Sequence, residues 1–344
     1  MDSGMGTATS ADGTQIAYQR QGSGPAVVLV GGGLDDGSEN AVLMPALASE
    51  FTVYNYVRRG RGGSGDTQPY AVHREVEDLA AVLDAAGGKA HVFGASSGGA
   101  LALEAAAAGL PIVRLAVYDV PYSVAEDAVE RWRTYRADLD EALAERRIDD
   151  ALAAFMRLGG ASDDDLAGAR AAPFWDGLLA LAPTLAYDAA VLGDGGPPSG
   201  RLANIGQETL VLTRSTSDPY MPALPVEFFA AAADAVASAL PHVERRTINA
   251  PGHAVDAAAV ASPVRAFFAG LGSRLQKQRG SSDHVTGLNH AVSSRVVPLD
   301  TPPGCYSASR PLPGAARGDR PPSHRAWPRC PVSLVRWSVA VGGG

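Results

Sequence analysis

A serine at position 96 lies in a sequence that is typical of a catalytic nucleophile. Residues 94–98 read G-A-S-S-G and fit the pattern G-x-S-x-G. An apolar run, AHVFG, precedes the serine, and a stretch rich in Ala and Leu follows it. Small residues on both sides of the serine permit a sharp turn from strand to helix, which exposes the hydroxyl beside the free N–H groups of a helix N-terminus. The pattern therefore predicts that Ser96 is a nucleophile.

A serine hydroxyl needs a neighbouring base, and the base needs a carboxylate that orients it. Among seven histidines, His253 lies in the loop APGHAV, between a late predicted strand and the last predicted helix. Asp218, in LVLTRSTSDPYM, follows the predicted strand 209–213 and is the predicted acid. Asp119, after the predicted strand 113–118, is the alternative acid, because it too would lie at the carboxyl edge of the sheet. The chain order of serine, acid and histidine is the one expected with this nucleophile turn.

Two backbone N–H groups are expected to bind the negatively charged oxygen that forms during attack on a carbonyl. One is the N–H of Ser97, directly after the nucleophile. The other is placed at Gly33, in the GGG sequence after the apolar run AVVLV, because glycines let a backbone approach a substrate oxygen closely. Gly33 and Ser97 are thus the predicted oxyanion-binding residues.

Short apolar runs alternate with longer helical segments over much of the chain. This alternation predicts an α/β fold with a mostly parallel central sheet that helices cover on both faces. The predicted strands are 26–30, 51–56, 90–94, 113–118, 209–213 and 243–248, and two of the predicted helices are 72–86 and 255–268.

Residues 121–201 interrupt the alternation with helical stretches at 125–145 and 149–158. The interruption predicts a helical cap inserted into a catalytic domain that consists of residues 1–120 and 202–270. Four aromatic residues of the cap are expected to face the substrate: Trp132, Tyr135, Phe155 and Trp175. Because the segment offers no clear charged anchor, a neutral and mostly apolar substrate is expected.

The composition changes near residue 270. Residues 271–344 contain ten Lys+Arg and three Asp+Glu, whereas the whole chain of 344 residues carries a net charge of −8. Pro and Gly interrupt every apolar run there, which predicts a disordered basic tail. Such a tail is either an arm for an acidic partner or an extension that does not fold. Cys305 and Cys330 both lie in it, and two cysteines provide neither a disulfide framework nor a metal site.

The sequence also argues against several classes of protein. No run approaches the roughly 20 apolar residues that a membrane helix needs, and the first residues lack the basic and apolar regions of a signal peptide. A cytoplasmic location without a membrane partner is therefore expected. The acidic balance argues against nucleic acid as a partner. The sequence does not predict an oligomeric state.

Taken together, these motifs resemble the α/β-hydrolase fold superfamily over residues 13–268. The resemblance rests on VVLVGGG, YNYVRRGRGGSGD, VFGASSGGALALEAA, TLVLTRSTSDP and NAPGHAVDAAAVASPVRAFF, in this order. It implies a serine triad, a cap after the sixth strand of the sheet, and no cofactor; no metal site is predicted. Two positions depart from the superfamily pattern. Gly31 replaces a histidine that many members carry, and Val57 replaces the aspartate of the arginine–glycine loop.

The predicted function is that of a cofactor-free serine hydrolase that cleaves a small, mostly apolar ester-like substrate through an acyl-enzyme on Ser96. A serine nucleophile excludes the dehalogenases and epoxide hydrolases that use an aspartate. Two alternatives stay open: a cofactor-free haloperoxidase or perhydrolase of the same fold, and a non-catalytic protein that senses a ligand in signalling. A small-molecule substrate is the predicted partner.

Overall fold

Eight strands form a single sheet. The computed structural model describes residues 3–270, and the predicted tail at 271–344, with both cysteines, lies outside the described residues. The strands are β1 (Ser3–Thr9), β2 (Gln15–Gln21), β3 (Ala26–Val30), β4 (Thr52–Tyr56), β5 (Ala90–Ala95), β6 (Ile112–Tyr118), β7 (Thr209–Arg214) and β8 (Val243–Ile248). Their order across the sheet is β1-β2-β4-β3-β5-β6-β7-β8.

The six strands from β4 to β8 in this order are parallel, as the alternation of strands and helices predicts. The apolar run of β3 is buried on both faces: Val27 and Leu29 pack into one core, and Val28 and Val30 pack into the other. Successive side chains of a strand point to opposite faces, so a continuous apolar run suits a sheet that helices cover on both sides.

The predicted set of six strands omits β1 and β2. Both are antiparallel additions at the β4 edge of the sheet. Most of β1 is exposed, with the sequence SGMGTAT, so it shows neither a buried apolar run nor a clear alternation. A strand that buries little apolar surface leaves no strong signal in a sequence.

The helices lie between the strands in the chain. They are α1 (Ser38–Ala41), α2 (Met44–Leu47), α3 (Val72–Ala85), α4 (Ser97–Ala107), α5 (Glu126–Ala144), α6 (Ile148–Gly159), α7 (Asp163–Arg170), α8 (Trp175–Leu181), α9 (Leu185–Leu192), α10 (Ser199–Leu202), α11 (Val226–Ala239) and α12 (Ala257–Phe268). Side chains of α3, α4 and α11 fill one core, and side chains of α2 and α12 fill the core on the opposite face. Among residues 3–270, no helix is long and apolar enough to cross a membrane.

Helices α5 to α10 form an insertion between β6 and β7, which we call the helical insertion (residues 126–202). The helices predicted at 125–145 and 149–158 correspond to α5 and α6 within one residue at each end. The division of the chain into a catalytic domain and a separate cap at 121–201 stays a prediction.

Backbone strain is concentrated at the carboxyl edge of the parallel strands. Leu34, Ser96 and Asp119 follow β3, β5 and β6, and their φ angles are 57°, 54° and 46°. Residues other than glycine rarely adopt this left-handed region. Each residue that does so lowers the stability of the folded state by on the order of 1–3 kcal/mol. Strain of this kind persists where the surrounding structure enforces it, and it clusters at functional sites. The ends of these three neighbouring strands therefore form the candidate functional site.

Candidate active site

Ser96 lies in the turn between β5 and α4. Its φ and ψ angles are 54° and −130°, and its backbone N–H donates to the carbonyl oxygen of Tyr118 on the neighbouring strand at 2.9 Å. The serine is partly accessible, whereas Ala95 and Ser97 beside it are buried. The turn therefore presents one hydroxyl at the sheet edge, directly at the N-terminus of α4.

Glycines around the serine are required by close packing of the backbone. A Cβ atom at Gly94 would lie 2.5 Å from the carbonyl oxygen of Gly98, and one at Gly98 would overlap with the carbonyl oxygen of Gly31. The G-x-S-x-G pattern thus reflects a physical need for space, since any side chain at these positions would displace α4 from β5 or from the loop after β3.

His253 lies in the loop between β8 and α12, and its ring meets a carboxylate. Its Nδ1 atom is 3.3 Å from Oδ2 of Asp119, and the histidine side chain is 14% exposed while that of Asp119 is fully buried. Asp119 directly follows β6, beside the strand that carries Ser96. The alternative acid of the sequence analysis is therefore the carboxylate that faces the imidazole.

Asp218 approaches the same histidine from another side. Its Oδ2 accepts the backbone N–H of His253 at 2.7 Å, and its Oδ1 accepts the backbone N–H of Tyr220 at 2.9 Å. A Cβ atom at Gly252 would lie 2.8 Å from Oδ2 of Asp218, so the glycine before the histidine makes room for this carboxylate. Asp218 thus contacts the backbone of His253, and it also stabilises the turn in which it lies itself.

A buried arginine holds Asp119 in place. Arg214, the last residue of β7, donates its backbone N–H to Oδ1 of Asp119 at 3.1 Å, and its guanidinium donates to Oδ2 at 2.5 Å. The guanidinium also lies over the ring of Phe229, 4.3 Å from its centroid, and that ring is 5.0 Å from the ring of His253. Both oxygens of Asp119 are therefore occupied, and the carboxylate has one possible orientation.

The glycine loop after β3 lies beside the serine. A Cβ atom at Gly32 would lie 3.0 Å from Cβ of Ser96. At Gly31, a side chain would overlap with the carboxylate of Asp35, which explains why the histidine of the superfamily pattern is absent at this position. The carboxylate of Glu39 lies beside this loop, since a Cβ atom at Gly32 would lie 3.6 Å from its Oε2.

Glu39 is a third carboxylate near the histidine, and the sequence analysis does not identify it. Backbone groups of Gly32, in the glycine loop, and of Val255, in the histidine loop, favour its charged form. Burial, together with the neighbouring carboxylate of Asp35, raises the pKa of Glu39 to about 7, although His253 acts in the opposite direction. Glu39 therefore changes its charge near neutral pH, within reach of the histidine.

Behind the glycine loop lies a buried ionic cluster that we call the arginine cluster: Arg58, Arg61, Glu75 and Asp188. Arg58 donates to both oxygens of Glu75 at 2.6 and 2.7 Å and to Asp188 at 2.7 Å. Arg61 donates to both oxygens of Asp188 at 2.9 and 2.8 Å. Burial favours the neutral acid, but the two guanidiniums hold the pKa of Asp188 below its usual range. The cluster carries two positive and two negative charges.

Asp188 belongs to α9, so the helical insertion contributes directly to the site. Its Oδ1 accepts the hydroxyl of Ser97 at 2.7 Å, and a Cβ atom at Gly33 would lie 3.4 Å from its Oδ2. The insertion thus brings one charged residue to the glycine loop, where two arginines pair with it, and the expectation of a neutral, mostly apolar substrate stays a prediction. One local feature of the sequence points to the arginine cluster: three arginines lie within residues 58–61 of a buried turn, and buried charges require partners of opposite charge. Their partner at residue 188 is far away in the sequence.

The four aromatic residues of the helical insertion occupy different places. A Cβ atom at Gly33 would lie 3.8 Å from the ring of Phe155, which places this side chain at the glycine loop. Tyr135 packs on Phe155 at 6.3 Å between ring centroids, and Trp132 packs on Tyr135 at 5.4 Å. Trp132 donates its indole N–H to the carbonyl oxygen of Gly193 at 3.2 Å.

Trp175 has its polar contacts on the surface of the insertion. Its indole N–H donates to Asp149 at 3.1 Å, and the guanidinium of Arg170 lies over its ring at 5.8 Å. A substrate-binding role for these aromatic residues stays a prediction. Within residues 3–270, no group of three or more His, Cys, Asp or Glu side chains could hold a metal ion.

The strand order and the serine turn after β5 are those of α/β hydrolases. A model of the alpha/beta hydrolase family matches residues 27–270, and the chain belongs to that family. The membership confirms the predicted fold class and the predicted class of enzyme, a hydrolase.

Several known proteins are similar to this chain. An α/β hydrolase from Sphaerobacter thermophilus is 45% identical, with a TM-score of 0.67 over 76% of this chain and 100% of that chain. The esterase RhEst1 from Rhodococcus sp. is 21% identical, with a TM-score of 0.57 over 77% and 98% of the two chains. The haloalkane dehalogenase DbeA from Bradyrhizobium elkani is 22% identical, with a TM-score of 0.53 over 79% and 100%. The last two show a shared fold.

One curated relative is similar over a shorter segment. The uncharacterized hydrolase YraK of Bacillus subtilis is 36% identical over 96 residues. That match spans 27% of this chain and 35% of YraK, so it covers about a third of the relative.

Proposed function

We propose that this protein is a serine hydrolase that cleaves a small, mostly apolar ester-like substrate through an acyl-enzyme on Ser96. The observation that supports the proposal most is the strained, partly accessible serine at the carboxyl edge of a sheet where a histidine ring meets a buried carboxylate. In this mechanism Ser96 Oγ attacks the substrate carbonyl while its proton passes to Nε2 of His253. The histidine then gives that proton to the leaving oxygen of the substrate. In the second half of the reaction, water gives a proton to His253 and attacks the acyl-enzyme, and the proton returns to Ser96 Oγ as the acid is released.

In this mechanism Asp119 is the acid. It accepts from Nδ1 of the imidazole, which fixes the tautomer that can take the serine proton and stabilises the imidazolium that forms. Asp218 has its two oxygens on backbone N–H groups, and it therefore fixes the position of the histidine loop. The ring contact favours the alternative acid of the sequence analysis over Asp218.

The N–H groups of Gly33 and Ser97 bind the oxyanion in this proposal. Gly33 belongs to the glycine loop that lies beside Ser96, and the N–H of Ser97 lies at the start of α4, where the helix dipole favours negative charge. Donors that point at the developing charge before reaction are among the largest contributions to acyl transfer.

A fluorophosphonate probe tests the proposal directly. The probe reacts with an activated serine, so we expect covalent labelling of the wild-type protein and no labelling of Ser96→Ala. A series of p-nitrophenyl esters with acyl chains of increasing length measures the substrate preference, and short or medium apolar chains should give the highest kcat/KM. A folded wild-type protein that is neither labelled nor active on any ester would contradict the proposal and would favour a ligand-sensing role.

Peroxide distinguishes the second enzymatic candidate. A cofactor-free haloperoxidase or perhydrolase can use the same triad, with hydrogen peroxide in place of water as the acceptor of the acyl group. Perhydrolysis that exceeds hydrolysis at equal nucleophile concentration would favour that activity. We expect hydrolysis to be faster.

A further inference from the structure

The side chain of Arg61 connects two parts of the molecule that are far apart in sequence. It is buried in the loop after β4, donates to both oxygens of Asp188 on α9, and donates to the carbonyl oxygen of Gly32. Arg59, in the same loop, is equally buried but pairs with Asp78 and Asp12, away from the glycine loop. Within one turn, therefore, Arg58 and Arg61 contact carbonyl oxygens of the glycine loop, at Gly31 and Gly32 respectively, whereas Arg59 does not.

The carbonyl of Gly32 and the N–H of Gly33 belong to one planar trans peptide, in which the two groups point in opposite directions. A donor that holds the carbonyl therefore also fixes the direction of the N–H. Three successive glycines restrict their backbone very little, so residues 31–33 need external contacts to keep one orientation. A hydrogen bond from a cation to the carbonyl also polarises the peptide and strengthens its N–H as a donor.

Asp188 fixes Arg61 and also accepts a hydrogen bond from the side chain of Ser97, the residue whose backbone N–H is the second predicted oxyanion donor. Nη2 of Arg61 donates to both oxygens of Asp188 and Nη1 donates to the Gly32 carbonyl, so the rigid guanidinium fixes these two partners relative to each other, which a single lysine nitrogen would not do. The hydroxyl of Ser97 donates to the same carboxylate at 2.7 Å. The residues that carry both predicted oxyanion donors thus share one contact, a carboxylate of the helical insertion.

We propose that Arg61, held by Asp188, is a positioning residue that orients the Gly33 N–H toward the substrate oxyanion. The inference rests on the serine hydrolase mechanism proposed above. It assigns the arginine cluster a role in catalysis beyond its contribution to folding. The charges of the cluster balance, so the carboxylate of Asp188 does not leave an unpaired negative charge beside the oxyanion.

The test compares two double variants that each remove one buried ion pair. Arg61→Met/Asp188→Leu removes the contact with Gly32, and Arg59→Met/Asp78→Leu is the matched control in the same loop. Paired removal leaves the net charge of each cluster unchanged, because an unpaired buried charge destabilises proteins strongly. Arg58 keeps Glu75 as its partner, and Asp12, which loses Arg59 in the control, is half-buried and keeps its hydrogen bond from the N–H of Thr14. Each variant is first checked by its thermal unfolding and circular dichroism.

We expect the Arg61 double variant to lose roughly 10- to 100-fold in kcat with little change in KM, somewhat less than the deletion of an oxyanion donor costs. Binding of a trifluoromethyl ketone, which forms a stable oxyanion with the serine, should weaken by a similar factor. The control should retain wild-type kcat and inhibitor affinity, whatever its unfolding temperature. A merely structural role would change the unfolding temperature of both variants and leave both catalytic measurements unchanged.

Arg61→Lys provides a second test that keeps Asp188 and the charge balance. The single ammonium lacks the two rigidly spaced nitrogens that join Asp188 to the Gly32 carbonyl, so kcat and inhibitor affinity should fall together, by less than in the double variant. Wild-type kcat and inhibitor affinity in both Arg61→Lys and the folded double variant would overturn the inference. The proposed function would still stand in that case if Ser96→Ala loses activity. A wild-type protein without labelling or turnover would overturn both the inference and the proposed function.

Discussion

The turn after β6 and the loop after β7 each bring an aspartate to His253, but the two aspartates hold different atoms. Asp119 is fully buried, lies in a strained turn with a φ of 46°, and faces the imidazole ring. Asp218 is half-buried, lies in a turn that it stabilises through the N–H of Tyr220, and contacts only the histidine backbone. Only the carboxylate that faces the ring can accept a hydrogen bond from Nδ1 and so fix the tautomer of the imidazole.

The two regions also differ in what supports the carboxylate. Asp119 is held by the backbone and the guanidinium of Arg214, which itself packs on Phe229. Asp218 has no comparable support, since both of its hydrogen bonds go to loop backbone. The contrast shows that the position of an acid along the chain does not identify its role.

The substitution Asp119→Asn should have the largest effect. Loss of the negative charge leaves the imidazolium without its partner and permits the wrong tautomer, so kcat should fall by roughly 10³- to 10⁴-fold. The rate of p-nitrophenyl ester hydrolysis measures this loss. Thermal unfolding serves as the control, because Arg214 loses its charged partner. Wild-type kcat in folded Asp119→Asn would show that the ring contact is not catalytic.

The substitution Asp218→Ala should have a moderate effect. It removes two hydrogen bonds to backbone, which should lower the free energy of unfolding by about 1–3 kcal/mol. The histidine loop should also shift, which should raise the activation free energy by about 1.4 kcal/mol and lower kcat about tenfold. Urea unfolding and ester hydrolysis measure the two quantities. A loss of kcat as large as that of Asp119→Asn would exchange the two roles assigned here.

The substitution Glu39→Gln tests the third carboxylate and should have the smallest effect, visible mainly in the pH dependence of stability. The folded-state pKa of Glu39, about 7, lies above its ordinary value of 4.5, so its contribution favours folding at low pH and is lost as the pH rises from 4.5 through 7. The charges that face it are those of Asp35 and His253. Glutamine does not titrate, so the variant should gain stability relative to wild type by on the order of 2 kcal/mol between pH 5 and pH 8.

Urea unfolding of both proteins at the two pH values gives this difference. Any effect of the glutamine amide on the free energy of unfolding that does not depend on pH cancels in the comparison. A difference that does not change with pH would mean that Glu39 is ionised normally in the folded protein.

The sequence suffices to predict those parts of the site that depend on local structure. The glycine pattern predicts that Ser96 and Ser97 lie in the turn after β5 and that Gly33 lies in the loop after β3, while the catalytic roles of these residues stay predictions. The choice between Asp119 and Asp218 does not follow, because both come directly after neighbouring parallel strands. Only the path of each loop decides which atom of the histidine each one meets.

Contacts across long sequence separations explain the remaining omissions. Arg58 and Arg61 meet Asp188 from positions 130 and 127 residues away, and no spacing rule connects them. Glu39 lies in a four-residue helix without an apolar pattern, and its importance arises from backbone groups of two other loops. Periodicity reveals which face of an element is buried, but it does not reveal which buried charge compensates another.

The arginine cluster has a consequence for recombination among α/β hydrolases. Two of its charges come from the loop after β4, one from α3 and one from the helical insertion. A chimaera that receives its insertion from another protein keeps both arginines but keeps Asp188 only if the donor carries a carboxylate at the same place. Without one, a positive charge is left in the protein interior. Crossovers near residues 121 and 201 therefore separate residues that must be inherited together.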